Sequence, residues 1–183
     1  SNDFKIIGMV GKLDYNKDPM VFLKSALHIS KKKIKVKFFI IGAQGILLDK
    51  VREFIISNNL TDIVYLIDPS PNAKLMVKEF DICCLSSASE GFPNVILEYM
   101  YWSKPCVVTD AGDSAAIVKD KVTGLVVPVG DYNKFSEAII KLLDDPEVSL
   151  AMGKRGRTRL EKKFHIRNYS EAFTQLYQIS LNQ

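Results

Sequence analysis

The sequence contains no long apolar run. Its longest apolar stretches, such as Phe38 to Ile41 and Ile82 to Leu85, are only a few residues long, whereas a helix that spans a membrane needs roughly 20. The sequence therefore predicts no transmembrane segment. It also has no low-complexity tract, internal repeat or Gly/Ser-rich linker. These absences exclude the disordered, collagen-like and coiled-coil classes.

Cysteine and histidine are scarce. There are 3 cysteines, of which Cys83 and Cys84 are adjacent in one apolar run and Cys106 lies in another. This pattern fits neither a disulfide framework nor a zinc motif, and it predicts reduced, buried thiols of a cytosolic protein. The 2 histidines, His28 and His165, lie far apart, and there is no D-x-D pair. We therefore expect no metal site.

The charge balance is mildly basic. Lysine and arginine exceed aspartate and glutamate by 25 − 21 = +4, which suits an anionic small ligand, a nucleic acid or a membrane surface equally. A basic run, Lys31 to Lys33 with Lys35 and Lys37, is interpreted mainly as a solvated helix end, with contact to anionic lipid as the alternative. A second group of cations lies near the C-terminus and comprises Lys154, Arg155, Arg157 and Arg159. It lacks interleaved aromatic residues, so it does not predict nucleic-acid binding. These side chains are expected mostly to face solvent.

A length of 183 residues predicts one domain, with an appendage at most. With 47% hydrophobic and 25% charged residues, a chain of this size can bury about 70% of the surface of its unfolded form. The chain opens with Ser1 and Asn2 and not with Met, an opening typical of a tag remnant. We therefore expect that the natural protein is longer.

Six short runs rich in β-branched residues predict strands. Each is followed by a helix-like period, and the runs are almost continuously apolar, as in parallel strands that are covered on both faces. The predicted strands are Lys5 to Val10, Val36 to Ile41, Ile63 to Ile67, Ile82 to Leu85, Cys106 to Thr109 and Gly124 to Val127.

Apolar residues recur at helical spacing between these strands. Asp131 is placed to cap the helix that carries Phe135, Ala138, Ile139 and Leu142. Residues 147–183 have a wholly helical pattern, whose last part bears an apolar stripe: Ile166, Tyr169, Phe173, Leu176 and Tyr177. The sequence therefore predicts a single α/β domain, a doubly wound, Rossmann-like, parallel six-stranded sheet with a helical C-terminal tail. In such sheets the ligand lies beyond the carboxyl ends of the strands, where the strand order reverses.

Two cations follow the first predicted strand. That strand ends in Gly8-Met9-Val10-Gly11, and Lys12 and Lys17 come next, before the helix that begins near Asp18. They suit a diphosphate, although solvated loop lysines are the alternative. The G-x-G-x-x-G pattern of dinucleotide-binding domains is missing here, which argues against an oxidoreductase. Gly42, after the second strand, would let a ligand or a neighbouring loop approach the backbone.

The most informative segment follows the fourth strand and runs from Ser86 to Glu98. Pro93 suits the first position of a helix, so the amides of Asn94 and Val95 would form an anion site. Glu90 and Glu98 flank that site. Because carboxylates repel phosphate, we expect them to accept hydrogen bonds from neutral donors such as sugar hydroxyls. The alternatives are an exposed helix residue for Glu98 and a loop residue near the helix dipole for Glu90.

The segment from Glu90 to Glu98, two glutamates separated by seven residues within SASEGFPNVILEYM, resembles the donor-binding motif of retaining glycosyltransferases of family 4. The likeness continues through KPCVVTDAGDSAAIV, TGLVVPVGD, LLDDPE and MGKRGR, and it extends back to GMVGKLDYNKDP. It covers nearly the whole chain and implies the carboxy-terminal domain of the GT-B fold.

The resemblance implies a role for each matching position. Glu90 would contact the transferred sugar, Glu98 would hold the ribose diol, and Lys12 and Lys17 would bind the diphosphate. No metal or other cofactor is then required, because fixed cations and helix amides stabilise the departing nucleoside diphosphate. The backbone near Ile67 and Asp68 would meet the base, and the segment around the leaving phosphate would comprise Gly91, Phe92, Pro93, Asn94 and Val95.

The sequence departs from the family pattern at several positions. Lys12 stands where arginine is usual, which replaces a bidentate fork with a point charge. Asp113 and Ala116 stand in the segment that often reads GG-x-x-E, and Ser103 replaces a frequent glycine. Ile67-Asp68-Pro69 replaces a common strand-end glycine. These departures affect the expected base and sugar more than the fold.

The resemblance implies the donor-binding half of a retaining glycosyltransferase, with the amino-terminal acceptor domain absent from this chain. The donor would be a nucleotide diphosphate sugar, with a UDP-sugar favoured by its frequency in the family, and the acceptor a glycan or a lipid-linked sugar. We expect a cytoplasmic protein, peripheral on the inner face of the membrane, that does not bind nucleic acid. The isolated domain is expected to be inactive. The alternatives are a nucleotide-binding module without activity and a GT-B-like nucleotide-sugar epimerase.

Overall fold

The computed structural model describes residues 4–32 and 34–164. A six-stranded sheet with strand order β3-β2-β1-β4-β5-β6 forms its centre, and all neighbouring strands are parallel. The predicted strands are confirmed, and only the third and sixth begin one residue later than predicted. Their bounds are β1 Lys5–Val10, β2 Val36–Ile41, β3 Val64–Ile67, β4 Ile82–Leu85, β5 Cys106–Thr109 and β6 Leu125–Val127.

Seven α-helices connect and flank these strands in the described part of the chain. They are α1 Pro19–Ser30, α2 Leu48–Ser57, α3 Ala73–Met76, α4 Asn94–Tyr101, α5 Ser114–Ile117, α6 Tyr132–Asp144 and α7 Pro146–Lys163. The sequence did not predict the four-residue helices α3 and α5. The predicted helical tail is present as α7, whereas residues 165–183, with their apolar stripe, lie outside the described residues. No described helix is long and apolar enough to cross a bilayer.

The sheet is covered on both faces because alternate strand residues point to opposite sides. Ile7 and Phe38 belong to a core cluster on the side of α1, α2 and α6. Ile41 and Val108 belong to a second cluster on the side of α4 and α5. The doubly wound, Rossmann-like fold is therefore confirmed, and the carboxyl ends of all six strands meet at one edge of the sheet.

Asp131 caps α6 as predicted, because its Oδ1 accepts a hydrogen bond from the amide of Lys134 at 2.9 Å. Asp145 caps α7 in the same way, through the amide of Val148 at 3.0 Å. These caps satisfy amides that have no partner within the helix. The apolar face predicted for α6 is buried, with Phe135 and Ile139 both 0% exposed.

Lys154 and Arg155 are exposed, as predicted for the cations of α7, whereas Arg157 and Arg159 are half-buried. The three arginines also bind backbone carbonyls, which the sequence did not predict. Arg155 Nε donates to the carbonyl of Val122 at 2.6 Å. Arg157 Nη1 donates to that of Tyr101, the last residue of α4, at 2.5 Å. Arg159 donates to both carbonyls at the end of α5, Ile117 O at 2.8 Å and Ala116 O at 2.7 Å. The planar fork of arginine suits this capping of helix C-termini.

The three cysteines are free and buried, in agreement with the burial predicted for them. Cys83 of β4 lies opposite Cys106 of β5 in the sheet. Burial raises the pKa of the Cys83 and Cys84 thiols well above their ordinary value, and it raises the pKa of Cys106 to about 12. These thiols remain protonated because the interior disfavours the thiolate.

Candidate functional site

The strand order reverses between β1 and β4, which are neighbours in the sheet although they are far apart in sequence. A crevice for a ligand is expected at the carboxyl ends of these two strands. Residues 11–18 follow β1, and residues 86–93 follow β4. These are the two segments on which sequence analysis placed the diphosphate cations and the first glutamate.

Lys17 and Glu90 form an ion pair across this crevice, between Lys17 Nζ and Glu90 Oε1. The same carboxylate oxygen accepts a hydrogen bond from Ser87 Oγ at 2.6 Å. The side chain of Glu90 is 11% exposed and that of Lys17 is 25% exposed. The cation and the carboxylate are therefore held together in a partly buried position, where an ion pair is screened less than on the open surface.

The loop that carries Lys17 is fixed by hydrogen bonds of its backbone. Asp14 Oδ1 accepts from the Lys17 amide at 3.0 Å, and Ser86 Oγ lies 3.0 Å from the carbonyls of both Lys17 and Asp18. The carbonyl of Asn16 accepts from the amide of Ala88 at 2.7 Å. Asp18 adopts a left-handed conformation with φ 38°, which is uncommon outside glycine. The structure therefore joins the loops after β1 and β4 into one unit.

Glycines line the neighbouring part of the crevice. The Lys17 side chain runs over Gly11, since a Cβ on Gly11 would lie 3.6 Å from the Lys17 Cε atom. Gly42 has φ 89°, and a Cβ there would lie 3.2 Å from the carbonyl oxygen of Gly11. Gly42 thus permits close approach of the β1 and β2 ends, one of the two uses predicted for it. Lys12 is exposed.

The loop after β5 supports the backbone of the Glu90 segment. A Cβ on Gly112 would lie 1.9 Å from the carbonyl oxygen of Glu90, so only glycine fits there. The amide of Asp113 donates to the carbonyl of Gly91 at 3.1 Å. Asp113, which departs from the family pattern, therefore still contributes a backbone contact to the segment that carries Glu90.

Helix α4 begins at Asn94, one residue later than the sequence predicted. Pro93 precedes the helix with φ −76° and ψ 91°, an extended conformation, and is therefore not its first residue. The amides of Asn94 and Val95 lie in the first turn, where no partner within the helix is available, and no side chain caps this end. Gly91 and Phe92 are exposed beside it.

The buried hydroxyl of Tyr99 anchors α4 to the sheet. Tyr99 Oη donates to the carbonyl of Cys84 at 3.0 Å and accepts from the amide of Val10 at 3.2 Å. Tyr99 thereby connects α4 with the ends of both β1 and β4. Burial raises the pKa of this phenol well above its ordinary value, although the hydrogen bond from Val10 opposes the shift.

Glu98 lies in the second turn of α4 and forms an ion pair with Lys74 of α3, with 3.1 Å between Lys74 Nζ and Glu98 Oε1. The Glu98 side chain is 25% exposed and that of Lys74 is 72% exposed. A shallow, largely apolar hollow adjoins this pair and is lined by Leu75, Leu97, Tyr101, Trp102 and Leu160. Sequence analysis did not identify Lys74, because nothing in its local pattern distinguishes it from a solvated lysine.

The predicted base contacts lie at the end of β3. The carbonyl of Ile67 accepts hydrogen bonds from the amides of Gly42 and Ala43, at 2.9 and 3.0 Å. Both lone pairs of that oxygen are therefore occupied. Asp68, the next residue, is exposed.

Four further residues hold the site together and were missed by sequence analysis. Ser86 and Ser87 begin the segment from Ser86 to Glu98, but neither hydroxyl was predicted to have a role. Thr109 of β5 donates its hydroxyl hydrogen to the carbonyl of Ser87 at 2.6 Å. Neither Thr109 nor Asp14 was predicted to have a role in the site. Their contacts depend on the conformation of each loop and on which strands lie side by side, and the local sequence does not reveal either. The described residues contain no group of three His, Cys, Asp or Glu side chains that could hold a metal ion.

These observations define a Rossmann-like α/β domain. At its switch point, where the strand order reverses between β1 and β4, a crevice contains the Lys17–Glu90 ion pair. Residues 1–159 match the family described as glycosyl transferases group 1. The chain belongs to this family.

Sequence relatives agree with this assignment, and solved structures share the fold. The chain is 26% identical over 174 residues to the Escherichia coli UDP-Gal:alpha-D-GlcNAc-diphosphoundecaprenol alpha-1,3-galactosyltransferase, covering 94% of this chain and 45% of that protein. It superposes on TarM of S. aureus, solved in a complex that includes UDP, with a TM-score of 0.87 and 23% identity over 94% of this chain and 35% of that chain. The C-terminal domain of a glycosyl transferase group 1 family protein from Francisella tularensis gives a TM-score of 0.81 with 21% identity, over 88% of this chain and 87% of that chain.

The chain spans about half the length of the curated relatives that it matches, 45% to 48% for three of them. The structural likeness shows that the fold is the Rossmann-like one of GT-B enzymes.

Proposed function

We propose that this chain is the carboxy-terminal, donor-binding half of a GT-B glycosyltransferase that transfers a sugar from a nucleoside diphosphate sugar to a glycan or lipid-linked acceptor. The pairing of Lys17 with Glu90 at the switch point, beside the uncapped N-terminus of α4, carries this proposal. It combines a cation and helix amides for phosphate with a carboxylate for sugar hydroxyls. The chain's share of its relatives' length supports the reading as one half of an enzyme.

In the proposed reaction, the bond between the anomeric carbon and the diphosphate oxygen breaks, and an acceptor hydroxyl oxygen bonds to that carbon. Negative charge develops on the departing nucleoside diphosphate, which takes up the proton of the acceptor hydroxyl. Lys17, Lys12 and the first-turn amides of α4 stabilise that charge, because fixed dipoles and cations act strongly where water is excluded. Glu90 accepts hydrogen bonds from the hydroxyls of the sugar and stabilises its oxocarbenium-like centre. This arrangement requires no metal ion.

We further propose that the anomeric configuration is retained. None of the described residues of the crevice is an obvious nucleophile for the far side of the sugar. The acceptor therefore approaches from the face that the phosphate leaves. Glu98 holds the ribose diol, and the backbone of Asp68 meets the base. Uridine is the proposed base, supported by the UDP-sugar named for the E. coli relative.

The names of two relatives include a diphosphoundecaprenol or PP-undecaprenol acceptor. A lipid-linked acceptor would bring this protein to the cytoplasmic face of a membrane, and we propose a peripheral location there. The acceptor itself would be bound by an amino-terminal half. This chain alone would therefore bind the donor without transferring its sugar.

Calorimetric titration of this chain with UDP, GDP, ADP and NAD tests the proposal, with Glu98→Ala as the variant. We expect saturable binding of one diphosphate, weakened by roughly tenfold in the variant through loss of the ribose contact. Glu53→Ala, on the exposed face of α2, is the matched control because it also removes one carboxylate, and it should bind as the wild type does. Binding of NAD alone, or of no nucleotide, would reject the donor assignment.

A further inference from the structure

Two adjacent serines directly after β4 contact the two sides of the Lys17–Glu90 pair. Ser86 Oγ lies 3.0 Å from the carbonyls of Lys17 and Asp18. Ser87 Oγ donates to Glu90 Oε1 at 2.6 Å. Both serines are 0% exposed, so these hydroxyls bind protein and not solvent.

The two protein contacts of the Glu90 carboxylate converge on one oxygen. Ser87 Oγ and Lys17 Nζ both meet Oε1, and Oε2 has no hydrogen-bond partner among the described residues. Oε2 is also not one of the buried polar atoms that lack a partner. One oxygen of Glu90 is therefore turned to the protein, while the other is left for a ligand.

Ser87 is a more rigid partner for Glu90 than Lys17 is. The carbonyl of Ser87 accepts a hydrogen bond from the buried hydroxyl of Thr109 on β5, at 2.6 Å. Its short side chain thus projects from backbone that is fixed to the sheet. Lys17, in contrast, holds Glu90 through a flexible four-carbon stem and would turn to the diphosphate when the donor binds.

We propose that Ser87 is a positioning residue for Glu90, and that Glu90 Oε2 is the oxygen that accepts hydrogen bonds from the transferred sugar. When Lys17 moves to the diphosphate, Ser87 remains on Oε1 and keeps the carboxylate aimed. Ser86 has the corresponding role on the other side, because it holds the loop that carries Lys17 at the phosphate. This inference rests on the proposed function.

The two serines therefore predict different binding signatures, measured as the dissociation constants of UDP and UDP-glucose, with GDP and GDP-mannose in parallel. UDP lacks the sugar, so the ratio Kd(UDP)/Kd(UDP-glucose) isolates the sugar contact. Ser87→Ala should lower this ratio roughly fivefold, the effect of one hydrogen bond, and leave Kd(UDP) within about twofold. Ser86→Ala should weaken UDP and UDP-glucose together and leave the ratio unchanged.

A double-mutant cycle separates positioning from a general structural effect. In a Glu90→Ala background, Ser87→Ala should produce no further change in the ratio, because its target carboxylate is gone. An equal loss in both backgrounds, or a parallel weakening of UDP and UDP-glucose by Ser87→Ala, would overturn the role of Ser87. If Ser87→Ala does not fold, Ser87→Cys keeps the volume with a weaker donor and must show the same lowered ratio.

Failure of the proposed function has a different signature. If Glu90→Ala itself leaves the ratio unchanged while UDP binds normally, Glu90 does not contact the sugar, and the assignment of Oε2 fails with it. If the wild-type chain binds neither UDP nor GDP, the proposed donor site is rejected, and the roles of Oε2 and Ser87 are rejected with it. A ratio that falls with Glu90→Ala but not with Ser87→Ala rejects only the positioning role.

Discussion

Lys17 and Glu90 lie on different loops, 73 positions apart in sequence, yet they form an ion pair at the point where the strand order reverses. Each partner is fixed by its own serine, Ser86 or Ser87. The crevice thus brings a cation and a carboxylate into contact. In the proposed function a diphosphate sugar would separate them, because its phosphates would bind the lysine and its hydroxyls the glutamate.

Removal of the Glu90 carboxylate should reduce transfer. In a protein that includes the acceptor-binding half, Glu90→Ala should lower turnover at least about tenfold, which corresponds to roughly 1.4 kcal/mol in the barrier. Steady-state kinetics with saturating donor measures this. Glu53→Ala, on the exposed face of α2, is the matched control because it also removes one carboxylate. Unchanged turnover in Glu90→Ala would contradict the role given to this residue.

The two lysines of the β1 loop should differ in their effect on stability. Lys12 is exposed, and Lys12→Ala should weaken UDP binding by up to about tenfold without changing the free energy of unfolding. Lys17→Ala should weaken binding too, but it also leaves the mostly buried Glu90 carboxylate without its cation, at a cost of about 2 kcal/mol. Urea unfolding beside calorimetry distinguishes the two. Equal stability losses in both variants would argue against the Lys17–Glu90 pair.

Gly112 should be required for the backbone conformation of the segment that carries Glu90. A Cβ there would overlap the carbonyl oxygen of Glu90, and its φ is 53°, so Gly112→Ala should lower the free energy of unfolding by about 2 kcal/mol or more. Gly91→Ala is the control for folding, since a Cβ on Gly91 meets nothing within 4 Å. Its stability should stay within about 0.5 kcal/mol of the wild type. A stable Gly112→Ala variant would contradict the close contact between Gly112 and the carbonyl of Glu90.

Arg159 should stabilise the domain although it lies on an outer helix. Arg159→Ala removes both hydrogen bonds to the end of α5, and we expect a loss of about 1–2 kcal/mol. Arg159→Lys should restore little of this, because a single ammonium cannot reproduce the fork. Lys154→Ala, an exposed cation on the same helix, should have almost no effect. Chemical denaturation of the three variants measures these differences.

The strands and the principal helices could be predicted because their information is local. The apolar runs from Lys5 to Val10 and from Cys106 to Thr109 carry β propensity and burial in consecutive residues, and Asp131 caps the helix that follows it directly. The α3 and α5 helices could not be predicted in this way, since four residues are too few for a periodic pattern.

The candidate site likewise contains residues that could be predicted from the local sequence and residues that could not. Lys17 and Glu90 were found because each follows a strand end and carries a charge. The contact between Ser87 and Glu90 was missed although the two residues are only 3 positions apart, because it depends on the conformation of an irregular loop. The contacts of Arg159 were missed because its partners are 42 and 43 positions away. A serine in a polar loop and an arginine on a basic helix have ordinary local sequences. The conformation of the loop after β4 and the approach of α7 to α5 give them these contacts.

The buried thiols should make the fold sensitive to alkaline pH. Burial raises the pKa of Cys83, Cys84 and Cys106 in the folded state, to about 12 for Cys106, whereas the unfolded thiols ionise near pH 8.5. Above that pH the unfolded state binds fewer protons than the folded state. The stabilisation present below pH 8.5 is therefore lost as the pH rises, by up to about 1.4 kcal/mol per thiol per pH unit.

Urea unfolding at pH 8, 9 and 10 measures this loss, and Cys106→Ala should reduce its slope because one of the three thiols is removed. A thiol reagent such as DTNB provides an independent check in the folded protein. We expect all three cysteines to react far more slowly than a free thiol at pH 8, since the reagent requires an accessible thiolate. Rapid labelling without denaturant would contradict the buried placement of β4 and β5, on which the position of Glu90 depends.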